Sequence, residues 1–154
     1  MLIPEPSVEF TYPRDVSFVC SRCGMCCGDT EAKVRVILVL KAEAERISKE
    51  TSMNLAEFVE KIEGFEPYIY QIKKTSTRKC IFLKDNLCSI YKIRPLICRF
   101  YPFQLKNLRH NKHAFSYTNE CPNIGQGPRL ERRFYERLFT KFLELMKEEE
   151  SYQR

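Results

Sequence analysis

Apolar residues along this chain come in short clusters separated by turn formers, with one long helical stripe near the C-terminus. Residues 1–19 carry Pro4, Pro6 and Pro13, which lack backbone donors, and they predict an extended arm anchored by Phe18 and Val19. The run V-R-V-I-L-V-L at 34–40 is rich in β-branched side chains and predicts a short strand. A helix follows over about 41–50, with a thin apolar face from Ala42, Ile47 and the stem of Lys41. Asn54 reads as an N-cap and Glu57 as its capping-box partner. That helix is expected to reach about Ile62 on the spacing of Leu55, Phe58, Val59 and Ile62, and to end before Gly64 and Pro67. Tyr68 to Ile72 predicts a second strand.

In the second half, Asp85-Asn86 reads as a turn between two cysteine-bearing arms. A short helix is expected across 88–94, stopped by Pro95. Residues 101–107 and 112–118 pair as strands around Asn107 to Asn111. The last helix is expected to start at Pro128, after Gly127. Leu130, Phe134, Leu138, Phe142 and Leu145 line one face of it, Phe139 and Met146 widen that face, and the reading is a core-packing helix. The tail from Glu148-Glu149-Glu150 is expected to fray.

These elements predict an α+β fold: a small single metal-stabilised domain with short strands, short helices and a long C-terminal amphipathic helix. The expected organisation is an extended arm over 1–17, a cysteine-cluster domain over 18–127, and a C-terminal helix over 128–154 packed on the same domain. The 154 residues fit one domain, and 44% hydrophobic content supplies a core rather than a disordered chain. The start, MLIPEPSVEFTYP, lacks a basic region followed by an unbroken apolar stretch, and the longest apolar run, Val36 to Leu40, is too short to cross a bilayer. A cytoplasmic location and no membrane partner are the expectation.

Cysteine changes this picture most. Cys20, Cys23, Cys26 and Cys27 form the run C-S-R-C-G-M-C-C, whose two-residue gaps let thiolates converge on one centre. Gly24 and Gly28 flank the later cysteines and can adopt positive φ or make room for sulfur. Cys80, Cys88 and Cys98 follow, and Cys121 precedes Pro122. In a reducing compartment clustered cysteines bind metal; an oxidising one would allow a disulfide framework, though an adjacent Cys-Cys pair is awkward for bridging to itself. The spacing of Cys20, Cys23 and Cys26 is that of a ferredoxin run, and Cys121-Pro122 is similar to the remote Cys-Pro ligand of such clusters. That favours a [4Fe-4S] iron–sulfur cluster and leaves Cys27, Cys80, Cys88 and Cys98 for a second site or for redox chemistry. Zinc is the alternative or second metal, because sulfur coordination is shared by both. The formal charge of +6 treats thiols as neutral, so it is weak support for nucleic-acid binding.

The same residues resemble a family with a C-x-x-C-x-x-C-C signature, a zinc- or iron-chelating domain, whose cysteine region is related to that of a flagellin lysine methylase. The resemblance is carried by F-V-C-S-R-C-G-M-C-C at 18–27, C-I-F-L at 80–83, C-S-I-Y-K-I-R-P-L-I-C-R-F-Y-P-F at 88–103 and C-P-N-I-G-Q-G at 121–127. Asn123 departs from the family's usual glycine. The resemblance implies that all eight cysteines are metal ligands. It also puts Arg94 and Arg99, which bracket Cys98, beside the cluster, where guanidinium groups offset thiolate charge and donate hydrogen bonds to sulfur. Tyr91, Tyr101, Phe100 and Phe103 are expected to shield the centre. His110 and His113 read as surface polar residues, and Asp29, Glu31 and Asp85 as solvated turn residues.

No Ser-His-Asp arrangement, paired catalytic carboxylates or phosphate-cradling glycine loop is evident. A radical S-adenosylmethionine enzyme would need a C-x₃-C-x₂-C run and a longer chain. The expected function is a metal-binding accessory or electron-transfer protein with a protein or redox partner. The alternatives are a small iron–sulfur oxidoreductase and a structural zinc module. For the latter, Lys106, Arg109 and Lys112 with Phe115 and Tyr117 supply a modest basic–aromatic stretch toward nucleic acid.

Overall fold

A computed structural model describes residues 9–21, 27–30 and 33–152. Among them the chain builds small sheets and helices around two hydrophobic clusters, the mixed α+β class expected from the pattern. The first cluster forms on a three-stranded antiparallel sheet. Strand β3 (Leu38–Val39) and strand β4 (Val59–Lys61) both pair with β5 (Tyr70–Ile72). Ile37, Val39, Ile47, Phe58, Ile72 and Phe82 are buried there. The strand at 34–40 is shorter than expected because Val34 and Val36 are exposed and only Leu38–Val39 finds a partner strand.

Helix α1 (Lys41–Thr51) follows β3 as the apolar pattern predicts. Helix α2 (Leu55–Phe58) starts as expected, with the Asn54 N–H donating to Glu57 Oε2 at 2.7 Å, but it is a single turn. Val59 turns extended and pairs with Ile72, so the helix expected to reach Ile62 gives way to β4. A β-branched residue buried beside Phe58 satisfies its backbone in the sheet instead, a tertiary override of helical spacing.

The second cluster is aromatic. Strand β8 (Phe103–Asn107) and β9 (Lys112–Tyr117) form the expected hairpin, and β1 (Glu9–Thr11) adds parallel to β9. Helix α4 (Arg132–Tyr152) lays Tyr135, Phe139 and Leu145 on this sheet. Tyr135 is fully buried and stacks on Tyr12 with ring centroids 4.7 Å apart. Two expectations for this end fail. Residues Ile124–Arg129 form a strand, β10, paired with β2 (Ser17–Phe18), so Pro128 is not the first helical residue. Gly127 has φ +81° and passes Val19 so closely that a Cβ would lie 2.8 Å from its Cγ1. The helical tail does not fray either: Glu149 is buried and accepts the Ala42 N–H at 2.9 Å, while Glu148 pairs with Arg46 at 3.0 Å. His113 also departs from expectation, buried against the Phe139 and Phe142 rings rather than lying on the surface.

The helices meet at Glu43. Its Oε1 accepts the Leu40 N–H at 3.1 Å, and its Oε2 accepts the Leu96 N–H at 2.5 Å, the first of helix α3 (Leu96–Phe100). Burial pushes the Glu43 carboxyl up from an ordinary 4.5 to about 7; the two N–H donors pull against that shift and Glu149 adds to it. The folded chain therefore holds this proton more tightly than the unfolded chain. The stability it contributes is complete below the ordinary value and is lost as pH rises through about 7. Unfolding titrations from about pH 5 to about pH 7.5 should show a loss of roughly 1–3 kcal/mol from this group. In Glu43→Gln that slope should flatten, at a cost of about 1–2 kcal/mol at the lower pH, because one N–H loses its acceptor.

Candidate metal centre

Between the two clusters lies a cavity of about 380 Å³. Ile37, Ile72 and Ile90 of the first cluster form one side, and Phe18, Leu130 and Phe134 from beside the second form the other. Cys20, Cys27, Cys80, Cys88, Cys98 and Cys121 all line it. Cys80 and Cys121 are buried, Cys27, Cys88 and Cys98 half-buried, and Cys20 exposed. Cys23 and Cys26, with Gly24 and Glu31, lie outside the described residues. Among the described residues, no three His, Cys, Asp or Glu side chains gather closely enough to hold a metal ion by themselves.

Each cysteine arrives by a different local device. Cys20 follows β2. Cys27 and Cys80 are tied through their backbones, the Cys80 N–H donating to the Cys27 carbonyl at 2.6 Å. The next residue, Gly28, bridges Lys79, and its missing Cβ is what admits that backbone: one would lie 2.9 Å from the Lys79 Cα and 2.8 Å from the Arg78 carbonyl oxygen. Gly28 makes room for backbone, not for sulfur. Cys88 ends the hairpin of β6 (Leu83–Lys84) and β7 (Leu87–Cys88), whose central residues Asp85 and Asn86 have φ 50° and 62°. Both left-handed positions match a two-residue hairpin turn and the Asp-Asn signal for it.

Cys98 sits on α3, whose start the sequence pattern missed. The segment 88–94 holds only a 3₁₀ turn at Tyr91–Ile93; Pro95 stops it and then caps α3, its carbonyl accepting from Cys98 and Arg99 at 3.0 Å each. The signal for this second helix was Pro95 itself, because proline suits a helix start as well as a helix stop. Cys121 opens a turn closed by the Ile124 N–H at 3.2 Å.

Arg94 and Arg99 line the same cavity. Arg94 lies over the Tyr91 ring at 3.9 Å and donates to the Tyr91 carbonyl at 2.7 Å; Arg99 donates to the Arg94 and Lys92 carbonyls at 3.2 and 2.7 Å. Among the described residues neither pairs with a carboxylate. Burial and the neighbouring Arg94 charge pull the Arg99 guanidinium below its ordinary pKa, although it remains a cation. Two adjacent cations facing a thiol-lined cavity are electrostatically consistent with negative charge inside it. The donor set, all sulfur and flanked by guanidinium groups, fits a zinc or iron–sulfur centre. Tyr91 and Tyr101 line the cavity as expected, whereas Phe100 and Phe103 belong to the second cluster behind it.

Residues 19–122 match a family model, CxxCxxCC, described as a "putative zinc- or iron-chelating domain". The chain belongs to the CxxCxxCC family. Metal binding follows from that membership and the thiol-lined cavity. A curated relative, an uncharacterized protein of Methanocaldococcus jannaschii, is 30% identical over 120 residues, which cover 75% of this chain. The match spans 61% of that relative's own length. No solved structure matches this CxxCxxCC chain. No described helix is long and apolar enough to cross a membrane.

Asp29 is not the solvated turn residue expected. It holds Lys74 at 2.5 Å and accepts the Arg35 N–H at 2.9 Å, and the Lys74 hydrogen bond keeps its carboxyl below the usual carboxylate range. It thus pins the loop after Cys27 to the segment that follows β5 and leads to Cys80. The tight backbone crossing at Gly28 makes that pin sensitive to one methyl group. Gly28→Ala should lower stability by about 1–3 kcal/mol in chemical denaturation, because the side chain meets backbone on its facing side.

Proposed function

We propose that the eight cysteines hold an iron–sulfur centre, with a [4Fe-4S] cluster favoured and zinc as alternative or second metal, and that the protein acts in electron transfer or as a metal-handling accessory. The observation that carries this reading is the convergence of six cysteines from widely separated segments on one cavity with two guanidinium groups against it. Cys23 and Cys26 join the set through the ferredoxin-like spacing of the run. When bound, a cluster supplies one-electron chemistry. Around such a centre Arg94 and Arg99 would offset thiolate charge, Tyr91 and Tyr101 would limit water, and Cys20, the exposed cysteine among the described ones, would be the ligand nearest to a redox partner. This reading is favoured over nucleic-acid binding by one finding in particular. Of the two aromatics of the basic stretch, Phe115 is buried against Phe10, Phe100 and Tyr135, where no base could stack on it, which leaves Tyr117 as the single exposed ring of the stretch.

Protein purified without oxygen should be brown and contain iron with acid-labile sulfide, and anaerobic potentiometry should show a reversible transition. Colourless anaerobic protein with stoichiometric zinc would sink the iron–sulfur assignment and leave a zinc site. Cys98→Ser and Cys26→Ser should each lower metal content and thermal stability together, because binding to the folded site alone is linked to folding. Normal metal content in either would remove that residue from the ligand set. Arg99→Met should weaken metal retention about 10–100-fold, the usual effect of losing a group that supports the ligands, as measured by competition with a chelator.

A further inference from the structure

A second cavity, of about 370 Å³, backs onto the first and shares Ile37, Cys98 and Tyr101 with it as a common wall. Its volume is in the range of ordinary small-molecule sites. Its other walls are largely apolar, with Val36, Leu96, Phe100, Phe103 and Phe142 among them. Into this setting the chain puts one guanidinium, that of Arg35, whose side chain is only 11% exposed.

Among the described residues the guanidinium of Arg35 is not fully hydrogen-bonded. Nη2 donates to the Tyr101 hydroxyl at 2.7 Å and faces Glu120 Oε2 at 3.1 Å, and the guanidinium lies 4.6 Å from the Tyr101 ring centroid. Nε is buried and has no acceptor among the described residues. A guanidinium at a largely apolar wall is best answered by a carboxylate, which accepts charge-assisted bonds from whichever of its nitrogens the cavity reaches. Local charge favours the same ligand. Lys33, at the same cavity, also reaches Glu120 at 3.7 Å, so two cations share one carboxylate that is 38% exposed. Tyr68, also on the wall, has its pKa pushed up to about 12 by burial, so it stays a neutral donor.

We propose that this second cavity binds a small monocarboxylate with an apolar body, its carboxylate on Arg35 and its tail among the aromatic and aliphatic walls. The site goes beyond the metal reading and does not depend on it. Cys98 and Tyr101 are among the residues it shares with the thiol-lined cavity.

Octanoate is a suitable probe, titrated calorimetrically into the purified full chain, with octylamine and octanol as comparators and metal content measured on the same samples. Octanoate should bind saturably and octylamine should not. Arg35→Gln should weaken octanoate at least tenfold and leave octanol unchanged, with Arg35→Lys between parent and Gln. If Arg35→Gln fails to fold, Val36→Trp, which fills the cavity from its exposed rim and keeps the guanidinium, should abolish octanoate binding. Absence of octanoate binding by metal-loaded parent protein overturns this proposal and leaves the metal reading standing. Equal binding of octylamine, or Arg35→Gln within twofold of the parent, overturns it too. Saturable, Arg35-dependent octanoate binding by protein that takes up no metal supports it while the metal reading falls.

Discussion

A carboxylate buried where the helices meet decides where the helix bearing Cys98 begins. Glu43 accepts the N–H of Leu40 at the start of α1 and that of Leu96 at the start of α3. Glu149, from the far end of α4, accepts the N–H of Ala42 in the first turn of α1. The first turn of a helix has donors without intrahelical acceptors and a partial positive charge, and both carboxylates answer those needs from inside the protein. Glu43 sits at the margin of ionisation because burial opposes the charge that its two donors favour. The arrangement fixes α3 against α1 and α4, and with it the places of Cys98 and Arg99.

The two hydrophobic clusters are each modest, and the thiol-lined cavity lies at their seam. One side of it is aliphatic and comes from the β3–β5–β4 sheet; the other is aromatic and comes from the arm and from around α4. A centre between two small cores would join them, which accounts for ligand candidates spread over most of the chain rather than confined to one knuckle. Backbone crossings reinforce the seam. Gly28 against Lys79 and Gly127 against Val19 are close approaches that the absence of a side chain permits. A second cavity lies against the seam and shares Ile37, Cys98 and Tyr101 with the thiol-lined one.

Local signals were read correctly where a short-range interaction decided the outcome. Asp85-Asn86 announced a hairpin because both residues tolerate left-handed backbone, and Asn54 with Glu57 announced a helix start because their groups satisfy each other within one turn. Readings failed where distant partners competed. Val59 carried a helical spacing and joined a strand, since Ile72 offered it a ladder. Pro128 looked like a helix start, but its segment pairs with β2, and α4 begins after it at Arg132. His113 read as a surface polar residue and Glu149 as part of a fraying tail, yet each is buried by an element far away in sequence.

The sequence by itself determined the family and the thiol-rich character that goes with it: eight cysteines at characteristic spacings, two arginines around Cys98, and an α+β pattern closing on an amphipathic helix. Those are properties of residue type and short spacing, which the chain carries whatever its fold. Only the tertiary structure brought Cys20, Cys27, Cys80, Cys88, Cys98 and Cys121 to one cavity, put Arg35 on the wall of a largely apolar chamber, and made Glu43 a buried junction. Those depend on which surfaces pack together, and burial, unlike residue type, is set by contacts between segments that the linear pattern leaves unpaired.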